Sequence, residues 1–394
     1  MTAPQRARKN IPWKLLIYST EFWPSTGGVQ SVVMTLARGF AAGQQGLRKV
    51  ECTVVTRTPA EKTSDTDLPF RVVRKPSLTE LARLLRRSDL VHLAGPALLP
   101  FALSLLLRKK VVVEHHGFQA LCPNGLLFHE PTGTACPGHF LAGDHRECWK
   151  CNAASGYRQS FRLWAFTFLR RWSCRFATAN VAPTHCLGDL LQLPRTSVIS
   201  HGVPERPGAP HTQKEPPTFV FIGRLVSTKG LELLLLGSRE LLNKGLRFRL
   251  VIIGEGPERS RLERLCSELG LAHLVEFVGE MAEEAVEALV GNAIAIVMPS
   301  LAGEVFGLVA AETMMRGRAV ITPDNGSLAE VVGETGLKFA AGNAKSLATC
   351  MENLLLSPEN AIELGERARR YSLKMFRAER MLNDHLALYQ RVFE

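Results

Sequence analysis

Two cations lie five residues apart on one turn in the second half of the chain, and their types suit the recognition of a diphosphate. The strand-like run 219–222 (FVFI) leads into the segment 223–230 (GRLVSTKG), which contains Arg224 and Lys229. Arginine binds phosphate oxygens with paired hydrogen bonds and lysine acts as a point charge, so the pair suits a diphosphate whose negative charge grows as it leaves. The alternative is two solvated surface charges on a loop.

Two glutamates follow the apolar run 294–298 (IAIVM), within the segment 299–312 (PSLAGEVFGLVAAE). If a helix begins near Phe306, its first free backbone N–H groups form an anion site, and these belong to Gly307, Leu308 and Val309. A helix would separate Glu304 from Glu312 by up to about 12 Å, enough to reach from a hexose to a ribose across a diphosphate. Glu304 would then accept hydrogen bonds from the sugar and Glu312 from the ribose. The alternative for Glu312 is an ordinary exposed helix residue, although its neighbours are apolar.

Short apolar runs alternate with segments of helical periodicity in both halves, and these runs must position the turns. The runs are 14–18, 51–56, 89–93, 110–113 and 179–182, then 219–222, 249–253, 274–278, 294–298 and 319–322. Such alternation is typical of parallel sheets built from βαβ units. We therefore predict an α/β fold of two doubly wound domains, with the Pro-rich segment 202–217 as linker. Ligands bind at the carboxyl ends of such strands, so a cleft between the domains is the expected site.

Composition and charge agree with two domains and point to an anionic partner. The chain has 394 residues, 46% of them hydrophobic, which is too long for one core and excludes disorder. No uncharged apolar run approaches the roughly 18 residues of a membrane span or a signal-peptide pattern, so we expect a cytoplasmic protein. Of the net charge of +11, residues 1–205 carry +13 and residues 206–394 carry −2. The partner of the first half could be a nucleic acid, an anionic membrane or a phosphorylated substrate.

The segments 223–230 and 299–312 together resemble the retaining glycosyltransferases of family 4, which have the two-domain GT-B fold. Further landmarks occur in the order typical of the family, so that the resemblance covers nearly the whole chain: Gly27-Gly28-Val29, His116-Gly117, 251–257 (VIIGEGP), 277–279 (FVG) and 324–330 (DNGSLAE). The resemblance implies transfer of a hexosyl-type sugar from a UDP-sugar or GDP-sugar to a glycan or lipid-linked acceptor, in the synthesis of cell-surface polysaccharide or glycolipid.

The resemblance also assigns roles to domains and residues. It implies an acceptor-side domain over 1–205 and a nucleotide-sugar domain over 206–372, with the terminal helix 373–394 packing back on the first. Arg224 and Lys229 would bind the diphosphate, Glu304 the donor sugar and Glu312 the ribose. By resemblance alone, Gly28 in the loop 24–28 approaches the donor phosphate and His116 contacts the transferred sugar. The alternative for Gly28 is an ordinary loop glycine, and the alternative for His116 is a structural histidine. We expect the neighbouring His115 to be packed or solvent-facing.

We expect no metal in catalysis. A metal-binding Asp-x-Asp pair occurs only as Asp65-Thr66-Asp67, remote from the donor motifs, and is interpreted as a solvated loop. Cations and helix amides would replace the metal at the leaving diphosphate, and front-face displacement is the working mechanism because no nucleophile stands out.

Two other functions are the alternatives: another enzyme of the same fold, such as an epimerase or phosphorylase, and a nucleic-acid-binding protein. No recognised nucleic-acid motif supports the latter, so we expect no nucleic-acid partner.

The segment 117–155 breaks the alternation and contains four clustered cysteines. These are Cys122, Cys136, Cys148 and Cys151, the last two in a C-x-x-C. In a reducing compartment the cluster suggests a structural zinc site, which would order a long polar loop. Disulfides, redox switching and an iron–sulfur centre are the alternatives, and His129, His139 or His145 could replace one ligand.

The segment 156–176 combines seven aromatic residues with five arginines at helical spacing. Such a composition fits either an interfacial membrane helix or a core helix with an arginine face. We favour the core helix, because it falls where the family has a helix before the run 179–182. If the acceptor is lipid-linked, peripheral binding to the inner face of the cell membrane would use the basic first half.

Overall fold

The computed structural model describes residues 12–43, 49–60, 65–208 and 215–394, which divide between two compact units. The first unit contains residues up to Gly125, Gly138–Pro204 and Phe376–Glu394, and the second contains Leu126–Pro137 and Glu205–Met375. Each unit is built on a parallel sheet, which confirms the α/β, Rossmann-like architecture. Of the expected linker, residues 209–214 lie outside the described residues.

The sheet of the first unit has seven parallel strands in the order β3-β2-β1-β4-β5-β8-β9. Its core consists of strand residues that are fully buried, such as Ile17, Val54 and Val112. The strands are β1 (Trp13–Ser19), β2 (Val50–Thr56), β3 (Arg71–Arg74), β4 (Leu90–Ala94), β5 (Lys110–Glu114), β8 (Ala179–Ala182) and β9 (Thr196–Val198). Both faces are covered because parallel strands need crossover connections.

The crossovers of the first unit are helical, and the last helix of the chain joins them. The helices are α1 (Gly28–Ala42), α2 (Leu78–Arg87), α3 (Leu98–Leu106), α4 (His145–Cys151), α5 (Tyr157–Cys174), α6 (His185–Leu191) and α14 (Ala378–Phe393). Tyr389 of α14 hydrogen-bonds His92 Nδ1 at 2.9 Å, and the ring of Phe393 lies 4.8 Å from that of Trp13. The terminal helix therefore packs within the first unit, as expected.

The second unit has six parallel strands in the order β12-β11-β10-β13-β14-β15. The strands are β10 (Thr218–Ile222), β11 (Arg249–Ile253), β12 (Val275–Gly279), β13 (Ala295–Val297), β14 (Ala319–Pro323) and β15 (Leu337–Phe339). The helices are α7 (Leu231–Asn243), α8 (Arg259–Glu268), α9 (Glu283–Asn292), α10 (Leu308–Met315), α11 (Gly326–Val332), α12 (Ala344–Leu356) and α13 (Pro358–Met375). Alternate residues of β10 and β11 enter one apolar core, which contains Phe219, Phe221, Leu250 and Ile252.

The segment expected to be an irregular first-domain loop, 117–155, is divided by the structure. Residues 126–137 belong to the second unit, where β6 (Phe128–His129) and β7 (Thr134–Ala135) form an antiparallel hairpin. The rest stays in the first unit and includes α4. The assignment of all of 117–155 to the first domain is therefore wrong, because sequence proximity does not determine which core a hairpin packs against.

Helix α5 differs from the expected core helix. Its buried residues are Ser160, Thr167, Ser173 and Cys174, whereas Tyr157 is 79% exposed, Phe161 51% and Trp172 60%. The aromatic residues thus lie mainly on the outer side, and the interpretation of α5 as a core helix is wrong. No helix in the described part of the chain is both long and apolar enough to cross a bilayer.

Candidate functional site

The turn that contains the two predicted diphosphate ligands lies at the carboxyl end of β10. The N–H of Gly223 donates to Ile253 O at 3.0 Å and that of Leu225 donates to Glu255 O at 2.9 Å, which fastens the turn to the end of β11. Arg224 is exposed between these two anchors. The position at the carboxyl edge of a doubly wound sheet is where such folds bind ligands.

Lys229 and Glu304, predicted to serve different parts of one ligand, contact each other. Lys229 Nζ donates to Glu304 Oε1, and Ser300 Oγ donates to the same oxygen at 3.3 Å. The two side chains are 26% and 15% exposed, so the ion pair is only partly shielded from solvent. This half-buried pair of opposite charges, whose lysine shares a turn with Arg224, forms a polar site that can present one cation and one acceptor to a ligand.

The turn keeps its shape because Gly230 permits a close backbone approach. Gly230 has φ +68° and caps α7, and a Cβ atom there would lie 2.0 Å from Pro299 O. Only glycine adopts this conformation without strain and leaves room for the neighbouring carbonyl. The contact joins the turn after β10 to the turn after β13. Sequence reasoning missed it, and the one signal was a glycine directly after the lysine.

Helix α10 begins at Leu308, two residues beyond the predicted start at Phe306. Gly307 is its N-cap with φ +94° and no side-chain cap, so the first N–H groups of the helix, those of Leu308 and Val309, are not occupied by a capping side chain. The Phe306 side chain is 1% exposed and lies in the core, which leaves its backbone as the part that could face a ligand. Glu304 lies in the loop before the helix.

Glu312 is half-buried on α10 beside an arginine–glutamate network. Burial raises the pKa of its carboxyl, and Arg316 and Arg206 partly offset the rise. Arg316 donates to both oxygens of Glu287, at 2.8 and 2.5 Å, and to the backbone oxygen of Glu312 at 2.8 Å. The carboxylate is thus held in a partly apolar position near cations, where it can accept hydrogen bonds from hydroxyl groups.

In the first unit, His116 lies directly after β5 and next to a buried carboxylate. Its side chain is 5% exposed, stacks on His201 with ring centres 5.1 Å apart, and places Nε2 3.6 Å from Glu114 Oε2. His116 also lines a cavity of about 550 Å³ in this unit. His115 is fully buried and contacts Asn180 Oδ1 at 3.0 Å, so it is packed.

Glu114 is the centre of a histidine cluster that sequence reasoning missed. It is fully buried, with His92 Nε2 at 2.9 Å, His201 Nδ1 at 3.4 Å and His385 Nε2 at 3.6 Å. Burial by itself raises the pKa of Glu114, but the His116 and His385 imidazoles outweigh burial and hold that pKa well below its usual range. A charged residue at the end of the apolar run VVVE was the available signal, because buried charges need partners.

Acidification from pH 7 to pH 5 is expected to lower the free energy of unfolding by about 2–4 kcal/mol. Burial lowers the pKa of His115 to about 4 and that of His201 to about 3, whereas unfolded histidine titrates near 6.5. Below about pH 6.5 the unfolded chain therefore binds protons that the folded chain does not, and stability is lost until the folded pKa values are reached. Urea denaturation at pH 7, 6 and 5 measures this loss.

The matched variants are His201→Asn and His273→Gln. The first removes a buried histidine and should reduce the slope of the free energy of unfolding against pH by about 1.4 kcal/mol per pH unit. The second removes an exposed histidine of the other unit and should leave the slope unchanged. A stability that is independent of pH between 7 and 5 would contradict the prediction.

Two further predicted sites are placed as follows. Gly28 is exposed and is the first residue of α1, at the end of the loop where it was expected. Asp65 of the Asp-x-Asp pair accepts from Arg74 Nε at 2.9 Å and from Nη2 at 2.8 Å, so it is paired with an arginine as well as partly solvated. That pairing occupies the carboxylate that a metal would need.

The four clustered cysteines are described within the units that contain them. In the first unit the Asn124 amide lies between two thiols: Cys122 Sγ donates to its Oδ1 at 2.9 Å, and its Nδ2 donates to Cys151 Sγ at 3.3 Å. Cys148 is buried in the same unit, and Cys136 belongs to the second unit. The zinc site stays a prediction, for which metal analysis of the purified protein is the measurement.

Two family models match the chain, one for each half. Residues 26–206 match "Glycosyltransferase Family 4" and residues 204–371 match "Glycosyl transferases group 1". Among curated relatives, an alpha-D-kanosaminyltransferase of Streptomyces kanamyceticus is 29% identical over 39% of this chain and 40% of its own length. The D-rhamnosyltransferase WbpZ of Pseudomonas aeruginosa is 30% identical over 47% of this chain and 50% of its own length. The chain thus matches half or less of the length of these relatives.

Solved structures match almost the whole chain at low identity. A sucrose-phosphate synthase from Thermosynechococcus elongatus has a TM-score of 0.73 and 20% identity, covering 97% of this chain and 99% of that one. HepE of Anabaena in complex with UDP and glucose has a TM-score of 0.71 and 16% identity, covering 96% and 99%. Likeness at this identity shows the fold, which is GT-B.

Proposed function

The chain belongs to the family 4 glycosyltransferases, and from that premise we propose that it transfers a hexosyl-type sugar from a UDP-sugar or GDP-sugar to a glycan or lipid-linked acceptor. The contact of Lys229 with Glu304, beside Arg224 at the carboxyl edge of the second sheet, carries the proposal. Related support comes from WbpZ, named a D-rhamnosyltransferase, and from HepE, which binds UDP. A role in cell-surface polysaccharide or glycolipid synthesis is part of the same proposal.

In the proposed donor complex, different residues of the second unit bind different parts of the sugar nucleotide. Arg224, Lys229 and the first N–H groups of α10 would bind the diphosphate, because cations and unoccupied helix amides attract phosphate. Glu304 would then exchange its contact with Lys229 for the hydroxyl groups of the donor sugar. The half-buried Glu312 would accept hydrogen bonds from the ribose. His116 and Gly28 of the first unit keep their proposed roles at the transferred sugar and the donor phosphate.

The proposed reaction retains the anomeric configuration without a metal. The bond from the sugar C1 to the diphosphate oxygen breaks and its electron pair leaves with the nucleoside diphosphate. A bond from C1 to the acceptor oxygen forms on the same face, and the acceptor hydroxyl proton passes to the departing phosphate oxygen. Arg224 and Lys229 stabilise the charge that develops on the leaving group.

We also propose that the protein is cytoplasmic and binds the inner face of the cell membrane peripherally. The exposed aromatic residues of α5 support this, since Trp172, Phe161 and Tyr157 are all more than half exposed. Aromatic side chains flanked by arginines favour the interface of an anionic bilayer. The excess positive charge of residues 1–205 acts in the same direction.

A panel of sugar nucleotides tests the donor assignment. One UDP-sugar or GDP-sugar is expected to raise the thermal unfolding midpoint and to be hydrolysed slowly without acceptor, because a ligand that binds only the folded state stabilises it. The panel includes the free nucleotides and matched nucleoside monophosphates, which lack the diphosphate. If no sugar nucleotide binds, or if monophosphates bind equally well, the proposal is wrong.

A further inference from the structure

The first unit contains a basic hollow that the donor contacts do not use. Two cavities, of about 550 and 720 Å³, share the lining residues Thr20, Arg57, Ala97, Leu98 and Arg170. They therefore adjoin one another. Thr20 follows β1 and Arg57 follows β2, so this hollow lies at the carboxyl edge of the first sheet, where doubly wound folds bind ligands.

Four cations line the hollow and are not neutralised. These are Arg57, Lys75, Arg162 and Arg170, and none of them forms an ion pair with a carboxylate in the parts of the chain that the structure describes. The one acidic lining residue, Glu21, accepts a hydrogen bond from Gln30 Nε2 at 3.2 Å. Of the four, Arg170 is half-buried, whereas Arg57, Lys75 and Arg162 are exposed. Unpaired cations in a concave site attract anions.

Two of the arginines are held in place by an aromatic ring. Arg162, Phe166 and Arg170 lie four residues apart on α5, and therefore on one side of the helix. The guanidinium carbons lie 5.3 and 5.9 Å from the centre of the Phe166 ring, within the range of cation–π attraction. Burial lowers the pKa of Arg170, which indicates a cation that would gain from a counter-ion. A planar guanidinium group held in this way can donate paired hydrogen bonds to two oxygens of a phosphate.

The hollow also touches the residue assigned to the transferred sugar. His116 lines the smaller cavity together with Arg57, Arg162 and Arg170. The cations proposed to bind the donor diphosphate, Arg224 and Lys229, belong by contrast to the second unit, and Gly28 of the first unit carries no charge. An anion bound in the hollow is therefore part of the other substrate. The apolar residues Leu98, Leu99 and Pro100 line the larger cavity and can accommodate a non-polar portion of it.

We propose that this hollow binds a phosphate or diphosphate group of the acceptor, through Arg57, Arg162 and Arg170, with Lys75 at the larger cavity. The inference rests on the proposed function, since it names the chemical class of the acceptor for that reaction. It also gives a use to the positive charge of the first half, which the donor does not need. A neutral glycan acceptor would leave these cations without a partner.

Titration with inorganic pyrophosphate tests the proposal. Every protein titrated carries Arg224→Ala and Lys229→Ala, which remove the two cations proposed to bind the donor diphosphate. The pyrophosphate binding that remains then reports on the hollow. In this background, adding Arg162→Gln and Arg170→Gln is expected to weaken pyrophosphate binding about tenfold or more, because charged hydrogen bonds are lost. Arg158→Gln is the matched control, an exposed arginine of the same helix that lines neither cavity.

Two results would overturn the inference: no pyrophosphate binding in the background protein, or equal binding in the Arg162/Arg170 and Arg158 variants. The donor assay, run with Arg162→Gln and Arg170→Gln in the otherwise natural chain, separates this failure from that of the proposed function. A normal response to the sugar nucleotide then leaves the donor proposal standing.

Sedimentation with phosphatidylglycerol vesicles, against phosphatidylcholine vesicles, identifies the source of the phosphate. Binding that pyrophosphate displaces indicates a lipid-borne group, and pyrophosphate binding without vesicle binding indicates a soluble acceptor.

Discussion

Lys229→Ala is expected to lower kcat/KM for sugar transfer by about 10²–10³-fold, the usual effect of removing one group that stabilises transition-state charge. The ammonium contacts Glu304 in the free protein and is about one quarter exposed, so it can turn towards a diphosphate without leaving a fully buried charge behind. Because the negative charge of the diphosphate grows during transfer, the loss should fall mainly on kcat. Steady-state kinetics with the donor identified by the panel measures it.

The control for Lys229 is Lys244→Ala. Lys244 forms an ion pair with Glu352 at 2.5 Å in the same unit, but it caps the carboxyl end of α7, whereas the turn after β10 precedes the amino end of that helix. Removing it should leave kcat/KM within about twofold, since exposed ion pairs contribute little. Glu304→Gln complements the test, because it keeps the size of the side chain and removes the charge. Near-normal turnover of Lys229→Ala would exclude this lysine from the reaction.

Gly230→Ala is expected to destabilise the second unit by about 2–5 kcal/mol, the sum of a left-handed backbone penalty and an overpacking cost. The added Cβ would lie 2.0 Å from Pro299 O, and backbone on both sides of the contact resists displacement. Because residue 229 precedes the glycine, a shift of the turn would also move the lysine away from Glu304. We therefore expect lower thermal stability together with lower activity.

Gly245→Ala separates the two costs. Gly245 has φ +73°, close to the +68° of Gly230, but a Cβ there would meet nothing within 4 Å. Its replacement should cost only the backbone term, about 1–2 kcal/mol. Thermal unfolding of the two variants under one protocol gives the difference. If both variants unfold at the same temperature, the contact with Pro299 does not constrain the turn.

The strands that sequence analysis found and those it missed differ in their place in the sheet. The ten predicted runs correspond to strands, and most of these are central strands buried on both faces, which gives continuous apolar runs. Of the strands in the two parallel sheets, the short β3, β9 and β15 were missed, and all three are sheet edges. An edge strand is half solvated, so its sequence carries polar residues, as in the four residues RVVR of β3.

Some features of the site are predicted by residues adjacent in sequence, and others depend on contacts between residues far apart in sequence. The turn 223–230 and the start of α10 follow from residues that are neighbours in sequence. The structure places the turn at the end of β10, as the pattern indicated, and begins the helix at Leu308, two residues later than predicted. The contact of Lys229 with Glu304 joins residues 75 positions apart, and the cluster around Glu114 includes His385 from the last helix. Neither can be read from spacing, because strand order and helix packing decide which distant side chains meet.

The sequence by itself determined that this protein has two doubly wound units, a turn with two cations and a helix start after the run 294–298, because burial periodicity and turn chemistry are local properties. Only the tertiary structure decided that residues 126–137 leave the first unit, that most aromatic residues of α5 are exposed, and that Arg57 lines the same hollow as Arg162 and Arg170. These outcomes depend on which surfaces compete for burial. That competition involves the whole fold, and no single segment records it.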